Sequence, residues 1–177
     1  MELGLKRNEV RLVPYTSDWY HEFEEVKQAI SQQTGMPASR VEHMGSTAID
    51  GMPAKPIIDL LIGVDDLEAV SEFLANLQKL GFYRLKVERP GEIVLAKFTD
   101  ETFETKTHFI HLVKYEDELW QNLLFFRDYL IAHKEARDAY AELKLAFTKR
   151  SSSGINEYTD HKEAFVKHIV SKRGDRK

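Results

Sequence analysis

The stretch that most constrains the fold is Ile57-Ile58-Asp59-Leu60-Leu61-Ile62. It is short, rich in β-branched residues and nearly continuous in apolar character, as expected of a strand covered on both faces. Such a strand calls for a sheet with a layer packed on each side. Its one polar member, Asp59, needs a reason, because a carboxylate inside an apolar strand is costly unless it is paired, hydrogen-bonded or metal-bound. Upstream, Ser39 to Met44 reads as extended and is broken by Gly45-Ser46-Thr47. A Gly-Ser turn leaving a strand can present backbone amides and a hydroxyl to a phosphate, since glycine adds no side chain to block close approach. The turn and the buried-strand Asp together make the candidate site.

The other elements follow from periodicity. Val10 to Val13 reads as a short strand ending at Pro14. Ser17 or Asp18 can cap a helix carrying Trp19, Phe23, Val26 and Ile30 at helical spacing, which stops near Gly35 and Pro37. Asp65 or Asp66 caps a second helix with Leu67, Val70, Leu74 and Leu77 on one face and Gly81 at its end. Phe82 to Val87, Ile93 to Phe98 and Thr105 to Val113 predict three strands in an antiparallel meander. From Glu116 the period changes to 3.6, with one helix through Leu119 to Ile131, another through Ala136 to Phe147, and a last one after the Ser151 to Gly154 break. The aromatic set Trp19, Tyr20, Phe23, Trp120, Phe125, Phe126 and Phe147 reads as core. The fold class is therefore α+β, with an α/β part over residues 1–114 and a C-terminal helical segment over 115–177 packed directly on the sheet as one compact unit.

Composition narrows the function. The chain has 177 residues, 42% of them hydrophobic, and no cysteine. A domain of this size buries roughly 70% of its unfolded surface and needs no staples. Disulfides, thiolate zinc sites and cysteine nucleophiles are excluded. With 25 Lys+Arg against 29 Asp+Glu the net charge is −4, which argues against duplex nucleic acid as a partner but leaves room for a local basic groove. The longest apolar stretch, Ile57 to Val64, falls far short of the roughly 18 residues of a membrane span. The start of the chain has no apolar core like that of a signal peptide, so a cytoplasmic location without membrane attachment is expected.

His43-Met44-Gly45-Ser46-Thr47-Ala48 together with Gly51-Met52-Pro53-Ala54-Lys55-Pro56-Ile57-Ile58-Asp59 resembles the signature of the GrpB family, roughly H-I-G-S-T-S-V-P-G-L-x-A-K-P-I-I-D-I. The resemblance continues at Thr107 to Val113, Phe125 to Leu130, Tyr140 to Lys144 and Tyr158 to Phe165, and so spans the chain from Val10 to Val170. It implies a nucleotidyltransferase-like mixed sheet with flanking helices, and by analogy a link to dephospho-CoA kinase, to which some family members are attached. It implies a fold more than a reaction. Nucleotidyltransferases carry a D-x-D strand, in which alternation points both acids to one face so that two cations about 3.5–4 Å apart can be held around an in-line displacement. Here the partner position is Leu61. The neighbouring strand offers His111, with His108 on its opposite face, and imidazole suits Zn²⁺ or Mn²⁺ better than Mg²⁺.

The resulting expectation is a protein that binds a nucleotide, CoA-like or other phosphorylated small molecule, with one divalent metal (Mg, Mn or Zn) allowed and catalysis open. Asp59 and His111 are the candidate catalytic residues, and Asp59, His111 and His43 the candidate metal ligands. Gly45, Ser46, Thr47, Lys55, Arg127, Lys144, Tyr158 and Lys162 are the candidate ligand-binding set. Each has a plainer alternative. Gly45 and Ser46 could simply make the turn, and Asp59 could hold that loop in shape. His111 could be a satisfied core histidine, and His43 could orient the loop. Arg127 could pair with an acid of the sheet half, and the lysines could be solvated. The enzyme reading is transfer of a nucleotidyl or phosphoryl group or phosphoester hydrolysis. The rivals are a non-catalytic phosphate-ligand module and a partner-docking domain.

Overall fold

The structure, a computed structural model, describes residues 1–87, 89–99, 101–149 and 155–174, with the backbone alone for Lys149 and residues 155–160. A six-stranded mixed sheet holds β2 (Val41–Met44), β3 (Ile58–Val64), β6 (Thr105–Lys114), β5 (Glu92–Phe98) and β4 (Phe82–Arg84) in that order, and β1 (Leu5–Lys6) pairs with the start of β6. The β3–β6 pair is parallel and the other pairs are antiparallel. Five helices complete the described chain: α1 (Asp18–Thr34), α2 (Ser71–Lys79), α3 (Glu118–Ala132), α4 (Lys134–Lys149) and α5 (Ile155–Ser171). None of them is long and apolar enough to cross a membrane.

Strand alternation sorts β3 into two sets. Ile58, Leu60, Ile62 and Val64 join Ile110 and Leu112 of β6 in a core closed by Trp19, Phe23, Val26 and Ile30 of α1 and Leu77 of α2. On the opposite face Leu61 and Val113 pack against Trp120 of α3. A further cluster ties Ile49 and Met52, which follow the Gly-Ser turn, to Leu130 of α3 and Tyr140 of α4, with Phe165 of α5 packed against it. The C-terminal helices thus bear directly on the sheet and on the loop that leads into β3. This is the mixed α+β layering expected of the chain.

Local differences from the sequence reading have identifiable causes. Val13 makes a single bridge with Ala54 through a pair of backbone bonds of 2.9 and 3.1 Å, and the strand near the N-terminus is Leu5–Lys6 instead. The second helix begins at Ser71, because the Asp66 carboxylate accepts from Glu68 N–H at 2.9 Å and closes a turn, and Val70 drops into the core. At the start of α1 the Thr16 hydroxyl accepts from Asp18 N–H at 3.2 Å, while Ser17 makes no side-chain cap. Tyr20 is 54% exposed and is not core, since it lies off the Trp19–Phe23–Ile30 stripe; Phe125, Phe126 and Phe147 are half-buried. The Ser151 to Gly154 break lies outside the described residues.

Candidate functional site

The site begins where β2 ends. Met44 pairs with Asp59 across the β2–β3 ladder, and the chain then turns at Gly45 with φ 74°. A side chain is excluded there twice over: the conformation is left-handed, and a Cβ would lie 2.5 Å from Asp59 Oδ2. Glycine is what lets the turn settle onto the carboxylate. Ser46 to Ala48 follow as a single 3₁₀ turn. Asp59 keeps 27% of its side chain exposed and lies on the wall of a cleft of about 470 Å³ shared with Gly45, Ser46 and Thr47. The carboxyl and the bare bend therefore face one open hollow.

Asp59 is not alone. His111, on the adjacent strand β6, donates from Nε2 to Asp59 Oδ1 at 3.3 Å and from Nδ1 to Glu92 Oε1 at 2.5 Å. Burial opposes the charge on His111, but the two carboxylates outweigh it and push its pKa up to about 9. The hydrogen bond from His111 in turn holds Glu92 below the usual carboxylate range. At neutral pH the trio is an imidazolium clamped between two anions.

Five cations line the same cleft: Lys55, Arg89, Lys106, Lys144 and Lys162. Lys144 of α4 is buried, at 7% exposure, donates to Ser46 Oγ and stands 4.7 Å over the Tyr140 ring. Burial first, then repulsion from Lys162 and Lys55, lowers its pKa to about 7 against the pull of Asp59. Lys162 of α5 touches solvent yet is also lowered, by desolvation inside the cleft and by Lys55, with Asp59 opposing and Arg89 adding to the effect. Desolvation first, and then the neighbouring cations, hold both amines below the usual lysine range.

Eight of the eleven residues singled out from the sequence converge on this cleft: Gly45, Ser46, Thr47, Lys55, Asp59, His111, Lys144 and Lys162. His43 and Arg127 do not. His43 is buried, stacks on Phe23 at 4.7 Å and exchanges a hydrogen bond of 2.9 Å with Thr47 Oγ1. Its pKa falls to about 4 through burial, with Asp59 opposing and Arg127 contributing, so it sits behind the turn as a neutral brace. Arg127 binds Glu42 at 2.8 Å and the His43 carbonyl at 2.9 Å, which ties α3 to β2. The Tyr158 side chain lies outside the described residues. Sequence reasoning missed Glu92, Arg89 and Lys106. Glu92 lies at the start of β5, next to the Pro90-Gly91 turn, and meets His111 only across the β5–β6 pair.

The donor set does not fit the two-cation arrangement. Leu61, where a second acid would stand, is fully buried against Val113 and Trp120, and Glu92 faces His111. Among the described residues no three His, Asp or Glu side chains converge as metal ligands.

The family model described as GrpB protein matches residues 9–172. The glutamate-rich protein GrpB of Alkalihalophilus pseudofirmus is 37% identical over 96% of this chain and 98% of its own length. A crystal structure of the conserved protein GrpB from Enterococcus faecalis superposes with a TM-score of 0.78 at 28% identity, covering 92% of this chain and 96% of that one. A more distant likeness, with a TM-score of 0.45 and 12% identity, joins 70% of this chain to 40% of a Cid1 poly(U) polymerase chain. The chain belongs to the GrpB family.

Proposed function

We propose that the chain binds a nucleotide or other phosphorylated small molecule in the cleft between the Gly45–Ser46 turn and Asp59. The observation that carries this reading is the convergence of Lys55, Arg89, Lys106, Lys144 and Lys162 on the same hollow that the Gly45–Ser46 turn lines. Burial strengthens the interactions of Lys144, the buried member of the set, relative to bulk water. A bound phosphate offsets the repulsion from Lys55 that adds to desolvation in lowering Lys144 and Lys162. In this reading the Ser46 hydroxyl meets one phosphate group, and Lys55, Lys162 and Arg89 neutralise the ligand's charge. His111, oriented by Glu92, fixes the Asp59 carboxylate toward the ligand. No step is routed through a metal, because the described side chains do not supply a set of ligands for one.

The test is thermal stabilisation and calorimetric titration with ATP, inorganic pyrophosphate and CoA, each with and without Mg²⁺. A ligand at a hundred times its dissociation constant adds roughly 2.7 kcal/mol to stability, and the effect shrinks in high salt as the cationic wall is screened. Charge reversal at Lys55 and Lys162 abolishes binding. A panel that leaves the melting temperature unchanged refutes the reading and favours a partner-docking domain.

Whether chemistry follows binding is a separate question with its own observation. His111 has both ring nitrogens engaged by carboxylates, which favours a non-catalytic nucleotide or CoA-like ligand module over a transferase. Turnover of a nucleoside triphosphate that disappears in Asp59→Ala establishes a nucleotidyl or phosphoryl transferase. Binding without turnover establishes the module.

A further inference from the structure

An amine attacks a carbonyl only in its neutral form, and an ordinary lysine at pH 7 is almost wholly protonated. Lys144 lies in the setting that changes this. Its side chain is buried, the Tyr140 ring covers one side, and its nitrogen is held on the Ser46 hydroxyl at the cleft wall. The amines of Lys55 and Lys162 line the same hollow and act on it with like charge, while Asp59 acts on it only through space. An amine desolvated beside other cations is the arrangement that imine-forming lysines need. The remaining cations of the wall supply a seat for a phosphate beside it.

We propose that Lys144 is a carbonyl-reactive lysine that forms an imine with a phosphorylated aldehyde held in this cleft. The inference rests on the reading of the cleft as a phosphate site. The Nζ lone pair adds to the carbonyl carbon, and the carbonyl oxygen takes up the proton released by the amine, giving a carbinolamine. Its hydroxyl then leaves as water, taking its second proton from solvent in the open cleft. The nitrogen returns its last proton to solvent as the C=N bond forms. One aldehyde is consumed, one water is released, and nothing is oxidised or reduced.

The experiment treats the whole chain with pyridoxal 5′-phosphate, reduces the adduct with borohydride and maps the modified peptide by mass spectrometry. Because the Lys144 amine is desolvated beside Lys55 and Lys162 in the cleft, labelling at pH 7 is expected there in at least about tenfold excess over any other lysine. It is expected to slow at least about tenfold when pyridoxal without its phosphate is used, and to be blocked by inorganic pyrophosphate. Lys144→Arg loses the adduct. Label scattered over surface lysines, or confined to Lys55 or Lys162 with Lys144 untouched, overturns the proposal on wild-type protein alone, whatever the variant's folding. If pyrophosphate binds by calorimetry and no Lys144 adduct forms, the imine fails and the phosphate site stands. If pyridoxal labels Lys144 as fast as its phosphate and pyrophosphate gives no heat, the phosphate site fails, and the phosphorylated aldehyde as substrate class fails with it.

Discussion

The two faces of β3 and β6 have the same backbone and opposite fates. Toward α1 and α2 they present Ile58, Leu60, Ile62, Ile110 and Leu112, all but sealed from solvent in one continuous core. Toward the C-terminal helices they present Asp59, Leu61, His111 and Val113. Here the cover divides into a Trp120 cluster and an Ile49–Met52–Tyr140 cluster, with Asp59 and His111 left to the cleft. Two histidines of β6 show what the difference does. His108 points to the first face, is 3% exposed and donates from Nε2 to Glu22 Oε1 at 2.9 Å; burial outweighs that partner and lowers its pKa. His111, three residues on, meets two carboxylates and is raised to about 9. One face fits its polar residues into a dry layer, and the other leaves Asp59 and His111 on the wall of an open cleft.

The contrast is sharpest in stability. Leu60→Ala leaves a cavity in the continuous core and is expected to cost about 4 kcal/mol, near the upper end of the range for buried leucines. Leu61→Ala, with half-buried neighbours such as Leu119 and Leu123 able to close in, is expected at about 2–3 kcal/mol. Urea unfolding of both variants measures the gap, and equal losses break the claim that the two faces differ in packing.

Gly45→Ala comes next, at about 1–3 kcal/mol, for a left-handed φ and a Cβ pressed against Asp59. Its cost belongs to the cleft face, so it is expected to shrink when Asp59→Gly is introduced with it, since the side chain in the way is then gone. An undiminished cost in the double variant places the penalty in the backbone conformation alone. Phosphate-ligand binding, measured in parallel, falls in Gly45→Ala whatever the stability change, because the turn moves off the cleft wall.

The sheet face that builds the core was largely legible, because the Ile57–Ile62 run and the alternation in Ile93–Phe98 and Thr105–Val113 carry their own period. Gly45 and Asp59 were legible for the same reason: a glycine after a strand and an acid inside one both violate the local pattern. Arg127 was not, since a helical residue amid apolar neighbours looks the same whether it reaches a ligand or, as here, Glu42 and a strand carbonyl. Glu92 was hidden because its role exists only across the sheet, where β5 and β6 bring it to His111. Lys144 and Lys162 were marked as family positions, but their crowding beside Lys55 is a property of how α4 and α5 fold back over the turn.

The smallest net effect is a pH dependence in which two groups of the cleft face oppose each other. His111 has its folded pKa raised from 6.5 to about 9, so the stability it contributes is complete below pH 6.5 and is lost as pH rises toward and through 9. Lys144 has its folded pKa lowered from 10.5 to about 7, so the unfolded chain binds the extra proton between pH 7 and 10.5 and stability rises with pH across that window. Each proton is worth about 1.4 kcal/mol per pH unit at most, and between pH 7 and 9 the falling slope of His111 opposes the rising slope of Lys144, to which Lys162, also lowered, adds. Removing one partner uncovers the other. Lys144→Met is expected to give stability that falls from pH 7 to 9. Glu92→Gln takes one of the two carboxylates from His111 and is expected to turn the slope upward. On the core face, Leu60→Ala changes the height of the curve without changing its slope. Chemical denaturation at half-unit pH steps reads all three, and a wild-type slope that neither Lys144→Met nor Glu92→Gln alters would show that the clamped imidazolium and the buried amine do not titrate as an opposed pair.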